Sequence, residues 1–192
     1  MKLIVVNSNS TGNAFALDSG TEILLLEAGC KMADVKRAID FRLADVVGCL
    51  VTHVHLDHCK YATEYAKFGV VVYGCKDISD KKQFVYDGFR LLIPEKTWHI
   101  GSFDVVPFVN YHDVEIYGYL IRHKLMGTIL FSSDSYKLRL LNLKQFFIIL
   151  VDLNLTGVQV ELQDLILSVR ANDITNGNDI QTVVLCRHDM VR

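Results

Sequence analysis

The 192-residue sequence contains only two prolines and no long apolar run. Its longest strongly apolar stretch, residues 146–151, is far short of the roughly 20 residues that cross a bilayer, so no transmembrane helix is expected. Charge of neither sign is in excess, because 20 basic and 22 acidic residues leave a net charge of -2. The chain lacks the positive field that drives non-specific nucleic-acid binding, so any phosphate-bearing substrate must be held locally.

A secretion signal and a disulfide framework are also missing from the sequence. Lys2 is followed by a short apolar stretch, residues 3–6, and then by a polar run, whereas a signal peptide has an apolar region of about 7 to 15 residues. The five cysteines are odd in number and form no C-x-x-C pair, which fits a reducing compartment and a role as small core residues. We therefore expect a cytoplasmic protein without a membrane partner.

The spacing of apolar residues predicts one domain, residues 1–192, that contains both strands and helices. The β-rich apolar stretches predict strands at residues 14–18, 21–27, 46–52, 69–73, 103–109, 117–123, 128–132, 146–153 and 182–186. Stretches with helical periodicity predict helices at residues 32–41, 60–67 and 161–170. The first half therefore contains a strand-helix-strand unit, and the hairpins after residue 103 indicate a second sheet.

The segment Thr52-His53-Val54-His55-Leu56-Asp57-His58 lies where a predicted buried strand gives way to a helix. Histidines two residues apart on an extended stretch point to the same side, so His53 and His55 can converge on one ion. Asp57 and His58 follow in the turn and can reach a second ion. Imidazole and carboxylate groups are ligands that zinc prefers, so this segment predicts a metal site.

This H-x-H-x-D-H segment resembles the signature of the metallo-β-lactamase fold superfamily. Four further segments resemble motifs of the branch that contains the tRNase Z-like and WalJ-type phosphodiesterases. They are the polar N-terminal loop Asn7-Ser8-Asn9-Ser10-Thr11-Gly12-Asn13, the turn Leu26-Glu27-Ala28-Gly29 with Glu in place of Asp, the third histidine motif Tyr111-His112-Asp113-Val114, and the metal-bridging motif Phe131-Ser132-Ser133-Asp134-Ser135.

The resemblance implies an α/β (α+β) fold, the αββα sandwich of two mixed sheets with helices outside. It also implies a binuclear metal site, with zinc as the expected cofactor and Mn²⁺ or Fe²⁺ as alternatives. The implied ligands are His53, His55 and His112 for the first ion, Asp57 and His58 for the second, and Asp134 as the bridge between them.

The C-terminal part of the sequence departs from the family pattern. The resemblance places a last metal-binding histidine after a late strand, where this chain has Arg187, with His188 one residue later. A shift of one residue turns a side chain to the opposite face unless the strand bulges. Relatives also usually continue beyond the position of Arg192. We therefore expect either one or two ions per chain, and a homodimer that covers an exposed apolar edge.

The resemblance implies hydrolysis of a phosphodiester, in nucleic acid or a small nucleotide, by a metal-activated water. Asp57 is the expected orienting group or base, and His188 and His123 are the candidate proton donors. A cluster of basic residues either holds the anionic substrate or lies on solvated faces: Arg122, Lys124, Lys137, Arg139 and Lys144. Two alternatives stay open: hydrolysis of a lactone, thioester or lactam on the same fold, and a degenerate metal-binding interaction module.

Overall fold

The computed structural model describes residues 1–135 and the backbone of three later strands, 147–150, 158–161 and 184–185. The strands in this part of the chain are β1 (Lys2–Asn9), β2 (Gly12–Asp18), β3 (Ile23–Leu26), β4 (Val46–Leu50), β5 (Val72–Gly74), β6 (Phe89–Leu91), β7 (Trp98–Ile100), β8 (Phe103–Val109), β9 (Tyr117–His123), β10 (Gly127–Ser132), β11 (Phe147–Leu150), β12 (Val158–Glu161) and β13 (Val184–Leu185). The helices are α1 (Met32–Ala38), α2 (Leu56–Cys59), α3 (Ala62–Lys67) and α4 (Lys76–Lys81), with a 3-10 turn at Leu43–Asp45.

These strands form two mixed sheets, as predicted. The first has the order β12-β1-β2-β3-β4-β5-β6 and the second the order β13-β11-β10-β9-β8-β7. Strands β3 to β6 run parallel, and the helical connections between them supply the crossovers that parallel pairing requires. The other pairs of the first sheet are antiparallel, and in the second sheet only β10 and β11 are parallel among the described strands.

The core lies between the two sheets and beneath the helices. Phe15 of β2 and Phe131 of β10 meet edge to face, with ring centroids 6.0 Å apart, and so join the sheets. Helix α1 buries Met32 and Val35 and contacts β1, while α2, α3 and α4 contact other strands of the first sheet. No helix in the described residues is long and apolar enough to cross a membrane.

Several element boundaries differ from the sequence-based expectation. The polar segment 7–13 is mostly strand, because β1 pairs with β2 through Asn9 and Gly12 around a turn at residues 10–11. The helix predicted at 32–41 ends at Ala38, since Asp40 and Phe41 take left-handed φ values of 52° and 58°. Residue 161, the predicted start of a helix, instead ends β12, and residues 162–170 lie outside the described residues.

The strand directions bring the ends of several strands to one edge of the sandwich. The chain leaves β3 at Leu26 and β4 at Leu50, and carboxyl ends of parallel strands share one edge of a sheet. In the second sheet, β9 starts at the same edge, because the backbone N–H of Tyr117 donates to the carbonyl of Thr52 at 3.0 Å. Since β10 is antiparallel to β9, it ends at this edge too. The segments that follow β3, β4 and β10 therefore converge at this edge.

Candidate metal centre

Two overlapping groups of histidine and aspartate side chains lie at this edge. The first group consists of His53, His55, His112 and Asp134, and the second of Asp57, His58 and Asp134. In each group one ligand atom per residue lies within 4.8 Å of the others. Asp134 belongs to both, so its carboxylate stands between two candidate ion positions. All six metal ligands expected from the resemblance are brought together.

The first group is built from the end of β4 and the loop before β9. The imidazole of His53 is fully buried, and in the described part of the chain its Nε2 has no hydrogen-bond partner. Nε2 of His53 lies 3.6 Å from Oδ2 of Asp134, and Nδ1 of His55 lies 3.2 Å from Nε2 of His112. The rings of His53 and His112 meet nearly perpendicularly, edge to face, with centroids 4.9 Å apart.

The second group is centred on His58 in helix α2. Nε2 of His58 lies 2.9 Å from Oδ2 of Asp134 and 3.2 Å from Oδ2 of Asp57. The side-chain amide of Asn13, on β2, lies 3.2 Å from the same nitrogen and donates to Oδ2 of Asp57 at 3.4 Å. His58 is almost fully buried, whereas Asp57 and Asp134 are partly exposed, so solvent reaches the carboxylate side of this group.

The buried carboxylate of Glu27 connects the two groups from behind. Its Oε1 accepts hydrogen bonds from the hydroxyls of Thr52 at 2.6 Å and Ser133 at 3.2 Å, and Nδ1 of His58 lies 3.2 Å from it. Thr52 Oγ1 is also 2.9 Å from Nδ1 of His53. The Thr52 hydroxyl donates its hydrogen to Glu27, so the oxygen of that hydroxyl accepts the N–H at Nδ1 of His53. Nε2 of His53 therefore carries no hydrogen and faces the site as an acceptor.

The backbone at Glu27 and Asp134 takes unusual conformations that fit these contacts. Glu27 has a φ of 63° and Asp134 a φ of 46°, in the left-handed region that non-glycine residues rarely adopt. Such a conformation costs about 1 to 2 kcal/mol per residue. At Glu27 the buried hydrogen bonds of its carboxylate and of its N–H, which donates to the carbonyl of Leu50 at 2.8 Å, hold the strained turn in place.

The electrostatic environment keeps His53 neutral and favours a cation beside His58. Burial, aided by repulsion from His58, lowers the pKa of His53 to about 2. Burial alone would lower the pKa of His58, but Glu27, Asp134 and Asp57 outweigh it and hold that pKa well above its usual value. Burial would raise the pKa of Asp57 and of Asp134, but bonding to His58 lowers both. Three carboxylates thus surround one imidazole.

These residues fit a divalent metal ion. Ligand atoms at 2.0–2.1 Å from a tetrahedral zinc ion stand roughly 3.3–3.4 Å apart. The separations at this edge of the sandwich, 3.2 Å and 3.6 Å in the first group and 2.9 Å and 3.2 Å in the second, lie close to that spacing. The buried acceptor on His53 and the excess of carboxylates around His58 are both satisfied by cations.

Of the two proton donors expected from the sequence, only His123 is described by the structure, and it lies away from this cluster. His188 falls outside the described residues. His123 is buried in β9, where its Nε2 lies 3.0 Å from Ser102 Oγ and its Nδ1 accepts the N–H of Leu125 at 3.2 Å. Its contacts are therefore with the turn before β8, and Ser102 in turn donates to Glu22 at 2.5 Å.

The two described members of the basic cluster, Arg122 and Lys124, lie away from Asp134. Tyr117, at the start of β9, contacts the site, and Arg122 lies five residues further along the strand, about 17 Å away at roughly 3.4 Å per residue. Arg122 and Lys124 are exposed at the far end of β9. They correspond to solvated faces, whereas Lys137, Arg139 and Lys144 lie outside the described residues.

Four residues near the cluster were not predicted as site residues: Asn13, Glu27, Thr52 and Asp113. Glu27 belongs to a segment that the family resemblance singled out, and its acidic character was the available signal. Asp113 directly follows His112, and its Oδ1 lies 3.1 Å from Nε2 of that histidine. Asn13 and Thr52 also stand in segments that the sequence analysis singled out, but they were given no role there, because their contacts depend on how β2 and β4 are placed.

Comparison with known proteins identifies the fold. No protein-family model and no curated protein matches the sequence. The metallo-β-lactamase fold protein YhfI from Bacillus subtilis is 18% identical, with a TM-score of 0.59 over 72% of this chain and 64% of that one. The metallo-β-lactamase SMB-1 is 18% identical, with a TM-score of 0.52 over 69% and 63%. Human tRNase Z, short form, is 15% identical, with a TM-score of 0.50 over 70% and 69%.

The two sheets therefore have the metallo-β-lactamase fold. The chain spans somewhat less than two thirds of the length of YhfI and of SMB-1, at 64% and 63%. Identities of 15–18% make the likeness one of fold, and proteins with this fold include a β-lactamase and a tRNase by name.

Proposed function

We propose that this protein is a metal-dependent hydrolase that cleaves phosphodiester bonds. The observation that carries the proposal is the pair of ligand groups that share Asp134. His53, His55 and His112 would hold one ion, Asp57 and His58 the other, and Asp134 would bridge the two. Zinc is the expected metal, because the set combines imidazoles with carboxylates at tetrahedral spacing.

Metal ions at these two groups would activate a water molecule near neutral pH and neutralise the charge of a phosphodiester. Oδ2 of Asp57 lies at the open side of the second group, where it is placed to accept a proton from that water or to orient it. The amide of Asn13 donates to the same oxygen and restricts its direction. Glu27 and Thr52 fix the orientation of His58 and His53 from the buried side.

The substrate we propose is a phosphodiester in nucleic acid or a small nucleotide. Two ligand groups around one bridging carboxylate suit in-line displacement, in which both the attacking and the leaving oxygen need neutralisation. Tyr111 precedes His112 in the sequence and its side chain is half exposed, so we propose it as an aromatic residue on which a base can stack. Among proteins of the same fold, human tRNase Z is by name a nuclease.

The alternative is hydrolysis of a lactam, lactone or thioester, since SMB-1 is a metallo-β-lactamase with the same fold. Zinc-loaded protein should be assayed with bis(p-nitrophenyl) phosphate, a chromogenic β-lactam and a thioester in parallel. The proposal predicts preferential phosphodiester hydrolysis that a chelator abolishes. Preference for either carbonyl substrate would support the alternative, and metal-loaded protein that hydrolyses none of the three would favour an interaction module.

Asp134 provides the corresponding point test. Asp134→Ala removes the carboxylate common to both groups, so we expect loss of metal-dependent hydrolysis and weaker metal binding. Asp87→Ala is the matched control, because Asp87 is 92% exposed and its only ion pair within the described residues is with Arg90. Hydrolysis by Asp134→Ala at the rate of the control would refute the bridging assignment.

A further inference from the structure

The carboxylate of Asp113 lies beside two histidines of the first group. Its Oδ1 lies 3.1 Å from Nε2 of His112, and its Oδ2 lies 3.6 Å from Nε2 of His55. The nitrogens that these rings turn toward each other, Nδ1 of His55 and Nε2 of His112, are 3.2 Å apart. One carboxylate therefore reaches the outer nitrogen of His55 while the inner nitrogen faces the candidate ion position.

The placement of this carboxylate is unusual for an exposed residue. The side chain of Asp113 is 57% exposed, and an exposed carboxylate gains little by turning from water to a nearby imidazole. Oδ1 of Asp113 approaches Nε2 of His112, the nitrogen that faces the candidate ion position, so a bound ion would replace that contact and leave the carboxylate to His55. The contact with His55 is on the nitrogen that faces away from the candidate ion position, and it is suited to a hydrogen bond that selects one tautomer of that ring.

We propose that Asp113 is a positioning residue for the first metal site. Its carboxylate accepts the N–H of His55 at Nε2, which leaves Nδ1 of His55 unprotonated beside Nε2 of His112 and free to bind a cation. The separation of 3.6 Å closes to a hydrogen bond through a small rotation of the exposed carboxylate, as is common before a ligand binds. Carboxylates that orient metal-binding histidines in this way strengthen the site.

This inference rests on the metal centre of the proposed function and is independent of the substrate. The test measures zinc affinity by chelator competition in a His58→Ala background, in which the second group has lost its central ligand. Asp113→Ala should weaken zinc binding about 10- to 100-fold, the usual effect of removing such a partner. Asp113→Asn keeps one acceptor oxygen and should recover part of that loss. The absorption spectrum of bound Co²⁺ should change with Asp113→Ala.

Two controls separate positioning from a general structural effect. Asp104→Ala removes a carboxylate that lies 2.7 Å from the exposed His99 on neighbouring strands, and it should leave zinc affinity unchanged. In a His55→Ala background, Asp113→Ala should leave zinc binding by the second group unchanged.

The inference is overturned if Asp113→Ala changes the zinc affinity of the His58→Ala protein by less than about twofold. It is also overturned if Asp113→Ala weakens zinc binding equally in the His58→Ala and His55→Ala backgrounds. Absence of zinc binding in the His58→Ala background would overturn it together with the proposed first site. Because zinc binding is measured without substrate, a protein that shows the expected losses but cleaves no phosphodiester would refute the proposed function and leave this inference standing.

Discussion

Gly29 lies where the turn after β3 packs against the segment that carries Asp57, and we predict that Gly29→Ala disrupts the second metal site. A Cβ at this position would stand 1.7 Å from the carbonyl oxygen of Asp57 and 2.5 Å from the backbone nitrogen of Asn13. An ordinary carbon–oxygen contact is about 3.3 Å, so the Asp57 backbone must retreat by roughly 1.6 Å. That movement would carry the Asp57 carboxylate and His58 away from Asp134.

The cost follows from the contacts that hold this junction. The N–H of Ala28 donates to the carbonyl of His58 at 2.7 Å, and the N–H of Gly29 donates to the carbonyl of Asn13 at 2.9 Å. Each hydrogen bond contributes about 1 kcal/mol, and overpacking in a filled interior costs about 1 to 3 kcal/mol. Loss of one of these hydrogen bonds together with the overpacking should reduce the free energy of unfolding of Gly29→Ala by about 2 to 4 kcal/mol. A displacement of these ligands by more than about 1 Å should lower the affinity for the second zinc ion at least tenfold.

The assay combines urea unfolding of the metal-free protein with chelator competition for zinc. Gly69→Ala is the control, because Gly69 has a φ of 84° and nothing within 4 Å of an added Cβ. It should cost about 1 kcal/mol through backbone strain and leave both zinc affinities unchanged. If Gly29→Ala retains two zinc ions at wild-type affinity, the reasoning that ties Asp57 and His58 to this close approach is wrong.

Two further predictions concern the buried side of the cluster. Thr52→Val keeps the shape of the side chain but removes the hydroxyl between Glu27 and His53. Zinc affinity at the first site, measured by chelator competition, should therefore fall about tenfold. An unchanged affinity would contradict the tautomer assigned to His53. Zinc binding at pH 7 should release about one proton, because the raised pKa of His58 leaves a proton to be displaced whereas His53, with a pKa of about 2, has none. Zinc affinity should therefore rise with pH until the His58 pKa is passed. Calorimetry in two buffers of different ionisation enthalpy measures the number of protons released on zinc binding. A binding reaction that releases no proton would contradict the protonated state assigned to His58.

The sequence predicted those features that depend on local spacing or on a contiguous motif. The strands at 103–109 and 117–123 have the predicted bounds, since their apolar runs are long and clearly delimited. His53, His55, Asp57 and His58 lie within six positions, so a strand followed by a turn is enough to bring them together. The remaining two ligands, His112 and Asp134, came from motif resemblance, and the structure brings both to the cluster.

The features that the sequence did not predict depend on strand direction and on pairing between distant segments. Asn13 reaches Asp57 only because β2 pairs with β3 and the turn after β3 packs against α2. Arg122 and Lys124 seemed close to Asp134 because sequence distance ignores that β9 runs away from the site before β10 returns to it. Glu27 resembled a motif, but its contacts with both histidine groups emerge only when β3 and β4 lie side by side.

The central claim is that this chain binds two metal ions in two groups that share Asp134. The most direct test is the amount of zinc per chain, measured by elemental analysis after saturation with zinc and removal of the excess by gel filtration. We expect two ions per chain in the wild-type protein. One ion per chain, or none, would contradict it.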